Sequence, residues 1–253
     1  MQIGNRHIIF LLLSAGLILG FASCNKNSLK DCLDGRGKTS SESRGLYSFD
    51  NISVHDNISL KIIQGPHHTA VITTGENVIP FITTSIEENI LFIRNESVCT
   101  IFTDPWDNVD VEVSMPDIDT IFIQTAGDVV MDSAFHTEFA SVKIEESSGD
   151  INLTFDVLKL NVHYLSGTAN VWVNGTGRDG AFYCAAYGVL DTRGFISNYT
   201  AINSNSTNNC FVTSGVITLD VKITNMGDIY YIDQPLNLIE VIEGPGKLIR
   251  LGP

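Results

Sequence analysis

The sequence has few charged residues, and most of those are acidic. Only 17% of its 253 residues are charged, whereas soluble domains average about 25%. Lys and Arg number 15 against 29 Asp and Glu, which gives a formal net charge of −14. A chain of that charge has no basic surface to offer a nucleic acid or an anionic membrane, so electrostatic binding to either of them is excluded.

Residues that favour helix surfaces are also scarce. The polar positions are filled mainly by Ser, Thr, Asn and Asp, which favour turns and pleated surfaces, and less by Glu, Lys, Arg and Ala. Helical bundles and coiled coils are therefore excluded. The apolar residues, 43% of the chain, are sufficient for the core of an all-β protein.

Several motifs of catalysis and metal binding are missing as well. The sequence has no CxxC pair, no nucleophile elbow and no His-Glu metal motif. We therefore expect neither a metal nor another cofactor.

The longest apolar run stands near the N-terminus. Residues 8–21 carry no charge and follow Arg6; this length suits the hydrophobic region of an export signal and is too short to span a bilayer. Small residues then precede Cys24, an arrangement that resembles a bacterial lipobox. We expect a signal peptide at 1–23 and an acylated Cys24 that anchors an exported protein to the cell envelope, at the outer membrane. Ordinary signal-peptidase cleavage after residue 22 is the alternative.

Four cysteines remain if Cys24 carries the lipid. They are Cys32, Cys99, Cys184 and Cys210. An even number of cysteines in an oxidising compartment is typical of disulfide bonding, and four allow three complete pairings.

The composition changes along the chain in three steps. Residues 24–45 have almost no apolar periodicity and are predicted to form a tether. Residues 46–115 contain short alternating apolar runs broken by Gly, Pro, Asn and His, which predict an N-terminal lobe of short strands. Repeats occupy residues 116–253, and 46–253 together are expected to form one continuous head domain.

The repeat after residue 116 is about 20 residues long. Its turns centre on Gly127, Gly149, Gly167, Gly188, Asn208, Gly227 and Gly246. The exception to Gly is Asn, the residue next most tolerant of positive φ. The positions two residues after each turn centre form an apolar column, which consists of Val129, Ile151, Ala169, Leu190, Cys210, Ile229 and Leu248. The repeat predicts a parallel β-helix-like solenoid, in which each rung buries its inner face against the next. A β-sandwich is the alternative.

Alternation places another column on the outside, three residues after each turn centre. It contains Val130, Asn152, Asn170, Asp191, Phe211, Tyr230 and Ile249. Trp172 falls five residues after its turn, in line with Thr154 and Thr213, and is also predicted to point outward. An exposed Trp suits stacking on a sugar ring or on a surface protein. The candidate binding surface therefore comprises Trp172, Asn152, Asn170, Asp191 and Arg193.

Outward apolar residues near the C-terminus need a cover. They are Phe211, Tyr230, Ile232 and Ile249. A cap, a neighbouring lobe or a second copy in a homo-oligomer would bury them.

Two further functional hypotheses concern acidic residues. Asp128, Asp150 and Asp228 each follow a turn glycine, where they are either calcium ligands or ordinary turn residues. The alternative to a binding module is a pectinase-like lyase or hydrolase of β-helix architecture. Its candidate cluster on the middle rungs is Asp191, Arg193, His163 and Asn170.

Several short motifs resemble the head-GIN-domain family of putative auto-transporter adhesins. They are Asp31-Cys32-Leu33-Asp34-Gly35-Arg36-Gly37, Ser43-Arg44, Phe49-Asp50-Asn51-Ile52-Ser53-Val54, Ile63-Gln64-Gly65, Ser148-Gly149-Asp150-Ile151-Asn152 and Gly227-Asp228-Ile229-Tyr230-Tyr231. The resemblance covers residues 31–251. It implies a β-helix-like fold, a lipoprotein of Bacteroidetes and a role in adhesion, with no catalytic residues to transfer. It also implies a Cys32–Cys99 disulfide, because one cysteine stands just before the domain and another follows the strand at 90–94.

Overall fold

The computed structural model describes residues 35–97 and 109–252. The expected signal peptide, Cys24, Cys32 and Cys99 lie outside these ranges. The lipid anchor and the Cys32–Cys99 disulfide therefore remain predictions.

Strands make up most of the described chain. They are β1 (Thr39–Gly45), β2 (Asn51–Asp56), β3 (Ile58–Gln64), β4 (Thr69–Gly75), β5 (Ile82–Glu87), β6 (Ile90–Asn95), β7 (Val109–Met115), β8 (Thr120–Thr125), β9 (Val129–Val130), β10 (Phe135–Ile144), β11 (Ile151–Tyr164), β12 (Val171–Cys184), β13 (Leu190–Ser204), β14 (Cys210–Thr213), β15 (Thr218–Ile223), β16 (Ile229–Ile232), β17 (Asn237–Ile242) and β18 (Leu248–Arg250). A 3-10 turn covers Ile79–Phe81. Within the described ranges, no helix has the length and apolar character needed to cross a membrane.

Most strands pair in parallel, in two stacks that form two faces of a solenoid. The first stack runs β7, β3, β9, β11, β12, β13, β14, β16, β18. The second runs β6, β2, β8, β10, β11, β12, β13, β15, β17. The long strands β11, β12 and β13 contribute their first halves to one stack and their second halves to the other. The predicted solenoid is confirmed, with about 7 turns of roughly 20 residues.

The inner face of the first stack contains the predicted apolar column with one correction. The register aligns Val129, Ile151, Val171, Leu190, Cys210, Ile229 and Leu248. Val171 takes the place predicted for Ala169. Ala169 is buried in the preceding turn, where its carbonyl accepts a hydrogen bond from the Tyr164 hydroxyl at 2.8 Å.

The turn residues follow the same correction. Gly167 pairs with Ser147, which stands two residues before the turn centre Gly149. Ala169, two residues after Gly167, is therefore the residue that aligns with Gly149 in the column of turn centres. Positive φ also proves to be the wrong reason for glycine at these turns, because the turn centres other than Gly167 have ordinary φ. The constraint is close approach between rungs: a Cβ on Gly227 would lie 2.0 Å from the carbonyl oxygen of Asn208.

Part of the predicted tether is ordered in a strand. Residues 39–45 form β1, which pairs antiparallel with β4 at the edge of the first stack. The hydroxyls of Ser41 and Thr73 hydrogen-bond across this pair at 2.8 Å. Because β1 is exposed on both faces, it has no apolar periodicity that could reveal it in the sequence.

Candidate functional site

The candidate site is an outward-facing column of the first stack. The register places Asn152, Trp172, Asp191, Phe211 and Tyr230 on five successive strands. We call these five residues the aromatic column. Neighbouring strands lie about 4.8 Å apart, so the column is about 19 Å long.

Trp172 occupies a different position from the predicted one. It lies in the aromatic column between Asn152 and Asp191. The turn centre of its rung is Ala169 and not Gly167, so Trp172 follows that centre by three residues and not by five. Its side chain is partly exposed. The other residue that shifts is Asn170, which belongs to the turn one position before the first stack begins.

The two threonines predicted to lie in line with Trp172 on the outer surface have different surroundings. Thr154 is half-buried, whereas Thr213 is buried and donates a hydrogen bond to the carbonyl of Arg193. Thr213 therefore holds two rungs together and is not part of the exposed outer surface.

Asp191 of the aromatic column forms an ion pair with Arg193, two residues further along the same strand. Arg193 Nε lies 2.9 Å from Asp191 Oδ1, and Nη2 lies 2.5 Å from Oδ2. Asp191 and Arg193 stand two residues apart in β13, so both side chains lie on the same face of the strand. The hydrogen bond to Asp191 raises the pKa of Arg193. With 9% of Asp191 exposed, its carboxylate is committed to this pair.

The aromatic residues below the ion pair cover one another. The rings of Phe211 and Tyr230 stack with centroids 5.3 Å apart and an interplanar angle of 18°. The guanidinium of Arg193 lies 4.8 Å from the centre of the Phe211 ring. This packing covers part of two of the four side chains for which a cap, a neighbouring lobe or a second copy was expected.

The other two residues of the predicted oligomer surface, Ile232 and Ile249, are half-buried. More exposed apolar side chains lie elsewhere, in the last rung. Leu238, Ile239 and Val241 of β17 are each more than 40% exposed.

A groove of about 410 Å³ continues the aromatic column toward the N-terminal strands. Its lining includes Ser59, Lys61, Val71, Thr73, Asp110, Glu112 and Val130. Lys61 aligns with Val130, which in turn aligns with Asn152. From Lys61 to Tyr230 the surface therefore extends over about 29 Å. Sequence reasoning missed Lys61, because parallel pairing of β3 with β9 joins segments about 70 residues apart.

The ammonium group of Lys61 is neutralised by two acids, one in β7 and one just after β9. Its Nζ lies 2.7 Å from the carboxylate of Asp132 and 3.5 Å from that of Glu112. The hydrogen bond to Asp132 raises the pKa of Lys61. Both cations of the extended surface, Lys61 and Arg193, are thus ion-paired.

The catalytic cluster considered from the sequence is not brought together. His163 lies on the second stack, where its ring is tilted against Tyr183 at 6.3 Å. Asp191 and Arg193 belong to the first stack, and Asn170 to a turn. The reason is that the long strand β11 bends between Asn152 and His163, so residues of one strand face different directions.

The Gly-Asp turns have a structural role. Asp128 accepts a hydrogen bond from the backbone N–H of Asp150 at 2.8 Å, and Asp150 accepts one from the Asn170 side chain at 3.1 Å. Asp228 likewise accepts from the N–H of Lys247 at 2.8 Å. Each acid therefore satisfies a donor of the following rung. Across residues 35–97 and 109–252, no group of three His, Cys, Asp or Glu side chains is arranged to hold a metal ion.

Comparison with known proteins gives one family and several similar folds. The family described as "Putative auto-transporter adhesin, head GIN domain" matches residues 48–235. A protein described as a putative adhesin from Bacteroides fragilis NCTC 9343 superposes with a TM-score of 0.77 at 16% identity, over 85% of this chain and 97% of its own.

Two further structures come from Parabacteroides distasonis ATCC 8503, at 15% identity over 86% of this chain and 98% of their own. One is described as a putative adhesin and has a TM-score of 0.62. The other is described as a putative lipid binding protein and has a TM-score of 0.65. At these identities the likeness concerns the fold. A search of curated proteins found no match.

Proposed function

Since the chain belongs to the head GIN domain family of putative auto-transporter adhesins, we propose that it is an exported, lipid-anchored adhesin that binds neutral glycans along the aromatic column. Acylated Cys24 would hold it on the cell envelope, at the outer membrane. The solenoid would then present an elongated binding face. The rival function is that of a pectinase-like lyase or hydrolase.

The placement of Trp172 is the observation that carries this proposal. Its partly exposed ring lies between the Asn152 amide and the Asp191–Arg193 ion pair. An indole ring can stack on the apolar face of a sugar while neighbouring amide and charged groups hydrogen-bond its hydroxyls. Side chains of these three kinds follow one another along the solenoid axis, the direction in which an extended glycan would lie.

Charge favours a neutral ligand over an acidic one. The chain carries a net charge of −14, and both cations of the extended surface are already paired with carboxylates. An acidic polysaccharide would meet a negative field without a free cation to offset it. A neutral glycan avoids that repulsion, and many anchored copies would raise a weak affinity by avidity.

The same ion pair argues against hydrolysis. A general acid or base must exchange its proton with substrate. Both oxygens of Asp191 accept hydrogen bonds from Arg193, and the aromatic column offers no second carboxylate as a partner.

Binding is tested on the soluble domain with arrays of neutral and acidic glycans. Trp172→Ala is expected to weaken retention of neutral glycans about fivefold, since stacking contributes on the order of 1 kcal/mol. Tyr47→Ala is the matched control, because Tyr47 is an aromatic residue outside the column and 89% exposed. Equal losses in the two variants would contradict the site. Release of new reducing or unsaturated ends that disappears in Asp191→Asn or Arg193→Ala would establish the enzymatic alternative.

The anchor is tested separately in cells. Cys24→Ser removes the thiol that the acyl chain requires, so the protein is expected to leave the detergent-extracted membrane fraction and to appear as soluble or uncleaved protein. Fractionation followed by gel mobility measures both effects. Unchanged membrane partitioning together with unchanged mobility would show that Cys24 carries no lipid.

A further inference from the structure

Two cysteines meet in the interior of the solenoid, away from the aromatic column. Cys184 ends β12 on the inner face of the second stack, and Cys210 begins β14 on the inner face of the first. Both side chains are fully buried. Two strands of the same solenoid thus bring a cysteine from each face into one interior.

Their side chains converge around Ser204. Ser204 is the register partner of Cys184 on the neighbouring strand. Cys210 begins the next strand after Ser204, and its Sγ lies 3.8 Å from Ser204 Oγ. Both thiols therefore lie beside the same buried hydroxyl group, which brings them within reach of each other through movement of the side chains.

The two thiols differ in acidity. The interaction with Cys210 lowers the pKa of Cys184, whereas the same interaction, together with burial, raises the pKa of Cys210. The two thiols thus influence each other's acidity in the folded protein.

We propose that Cys184 and Cys210 form a disulfide when the chain folds in an oxidising compartment. The bond would link β12 to β14 and enclose the intervening strand β13. This goes beyond the proposed adhesin function, because it concerns covalent closure of the solenoid and not its ligand.

The oxidant is an external disulfide of the type R–S–S–R. The thiolate of one of the two cysteines attacks one of its sulfurs, which forms a mixed disulfide and releases one R–S⁻. The thiolate of the other cysteine then attacks the protein sulfur of this mixed disulfide and releases the second. The two protein thiols lose two electrons and two protons, which are recovered in two molecules of R–SH. Because both sulfurs are buried in the folded chain, exchange precedes the final closure of these rungs.

The test uses the mature chain with Cys24→Ser, refolded either with glutathione disulfide or with excess dithiothreitol, then alkylated and digested with trypsin. The four remaining cysteines fall in four separate peptides, at 31–36, 95–143, 179–193 and 194–222. A covalently linked pair of peptides 179–193 and 194–222 is expected in the oxidised sample alone. Alkylation of both Cys184 and Cys210 after oxidative refolding, or their linkage to Cys32 or Cys99, would refute the proposal.

A stability measurement separates the bond from simple packing. In a Cys32→Ser, Cys99→Ser background, the oxidised protein is expected to melt several degrees above the reduced one, because the cross-link restricts the unfolded chain. Cys184→Ala and Cys210→Ala each leave a cavity in both redox states but should abolish the difference between them. A redox-dependent shift that persists in either variant would refute the disulfide.

Discussion

Gly175→Ala is expected to lower the free energy of unfolding by at least about 3 kcal/mol, because strain and overpacking act together. Gly175 has a φ of +112°, a backbone conformation that residues with a side chain rarely adopt. A Cβ at this position would lie 1.8 Å from the carbonyl oxygen of Phe155 on the neighbouring strand. That oxygen belongs to the backbone, so it cannot swing away. Urea unfolding followed by circular dichroism measures the loss.

Gly45→Ala supplies the matched control. Gly45 lies in the edge strand β1, and a Cβ there would meet nothing within 4 Å. Its replacement is expected to change stability by less than about 0.5 kcal/mol. If the two alanine variants unfolded at the same urea concentration, the bend of β12 would not depend on glycine.

The period of the solenoid was predictable, because close approach between rungs leaves a signature in the sequence. Little room for a Cβ exists where one turn rests on the carbonyls of another, as at Gly188 and Gly227, so small residues recur about every 20 positions. The same signature misled at Gly167, whose φ of +116° serves a different bend. The resulting two-residue error displaced Trp172 from the aromatic column. Aligning the buried apolar positions would have avoided that error, since Val171 continues the column better than Ala169.

Contacts between residues on strands that are far apart in the sequence could not be predicted from the sequence. Lys61 reaches the aromatic column through the pairing of β3 with β9, and no local pattern marks that contact. The Phe211–Tyr230 stack was recognised only as exposed apolar surface. Arg193 covers Phe211 from the neighbouring strand, a contact that the alternation of residues within one strand does not reveal.

The glycines of β12 match the spacing of a known sequence motif but have a different role. Gly175, Gly177 and Gly180 have the GxGxxG spacing of a dinucleotide-binding loop, which requires a preceding strand and a following helix. Here all three lie inside one strand, at the bend between the two stacks. Gly175 supplies the positive φ of this bend, and the absent side chains of Gly177 and Gly180 make room for an aromatic ring, so the spacing serves packing.

That ring belongs to Phe195, and it provides the last prediction. Phe195 is buried edge-on against Phe182, with centroids 5.9 Å apart and an interplanar angle of 82°. A Cβ on Gly177 would lie 2.6 Å from Phe195 Cζ. Phe195→Ala is expected to cost about 3–5 kcal/mol, because it leaves a cavity bordered by glycines that cannot fill it.

The double-mutant cycle with Gly177→Ala distinguishes complementary packing from independent losses. In the wild-type background the new methyl group collides with the Phe195 ring, and a loss of about 1–3 kcal/mol is expected. With Phe195→Ala already present, the same methyl group enters the vacated space and is expected to recover about 1 kcal/mol. The contact of this Cβ with the Val157 carbonyl at 3.2 Å is common to both backgrounds, so it cancels in the cycle. Effects that add to within about 0.5 kcal/mol would show that Gly177 does not accommodate the ring, whereas a reversal of sign identifies the glycines of β12 as the complement of Phe195.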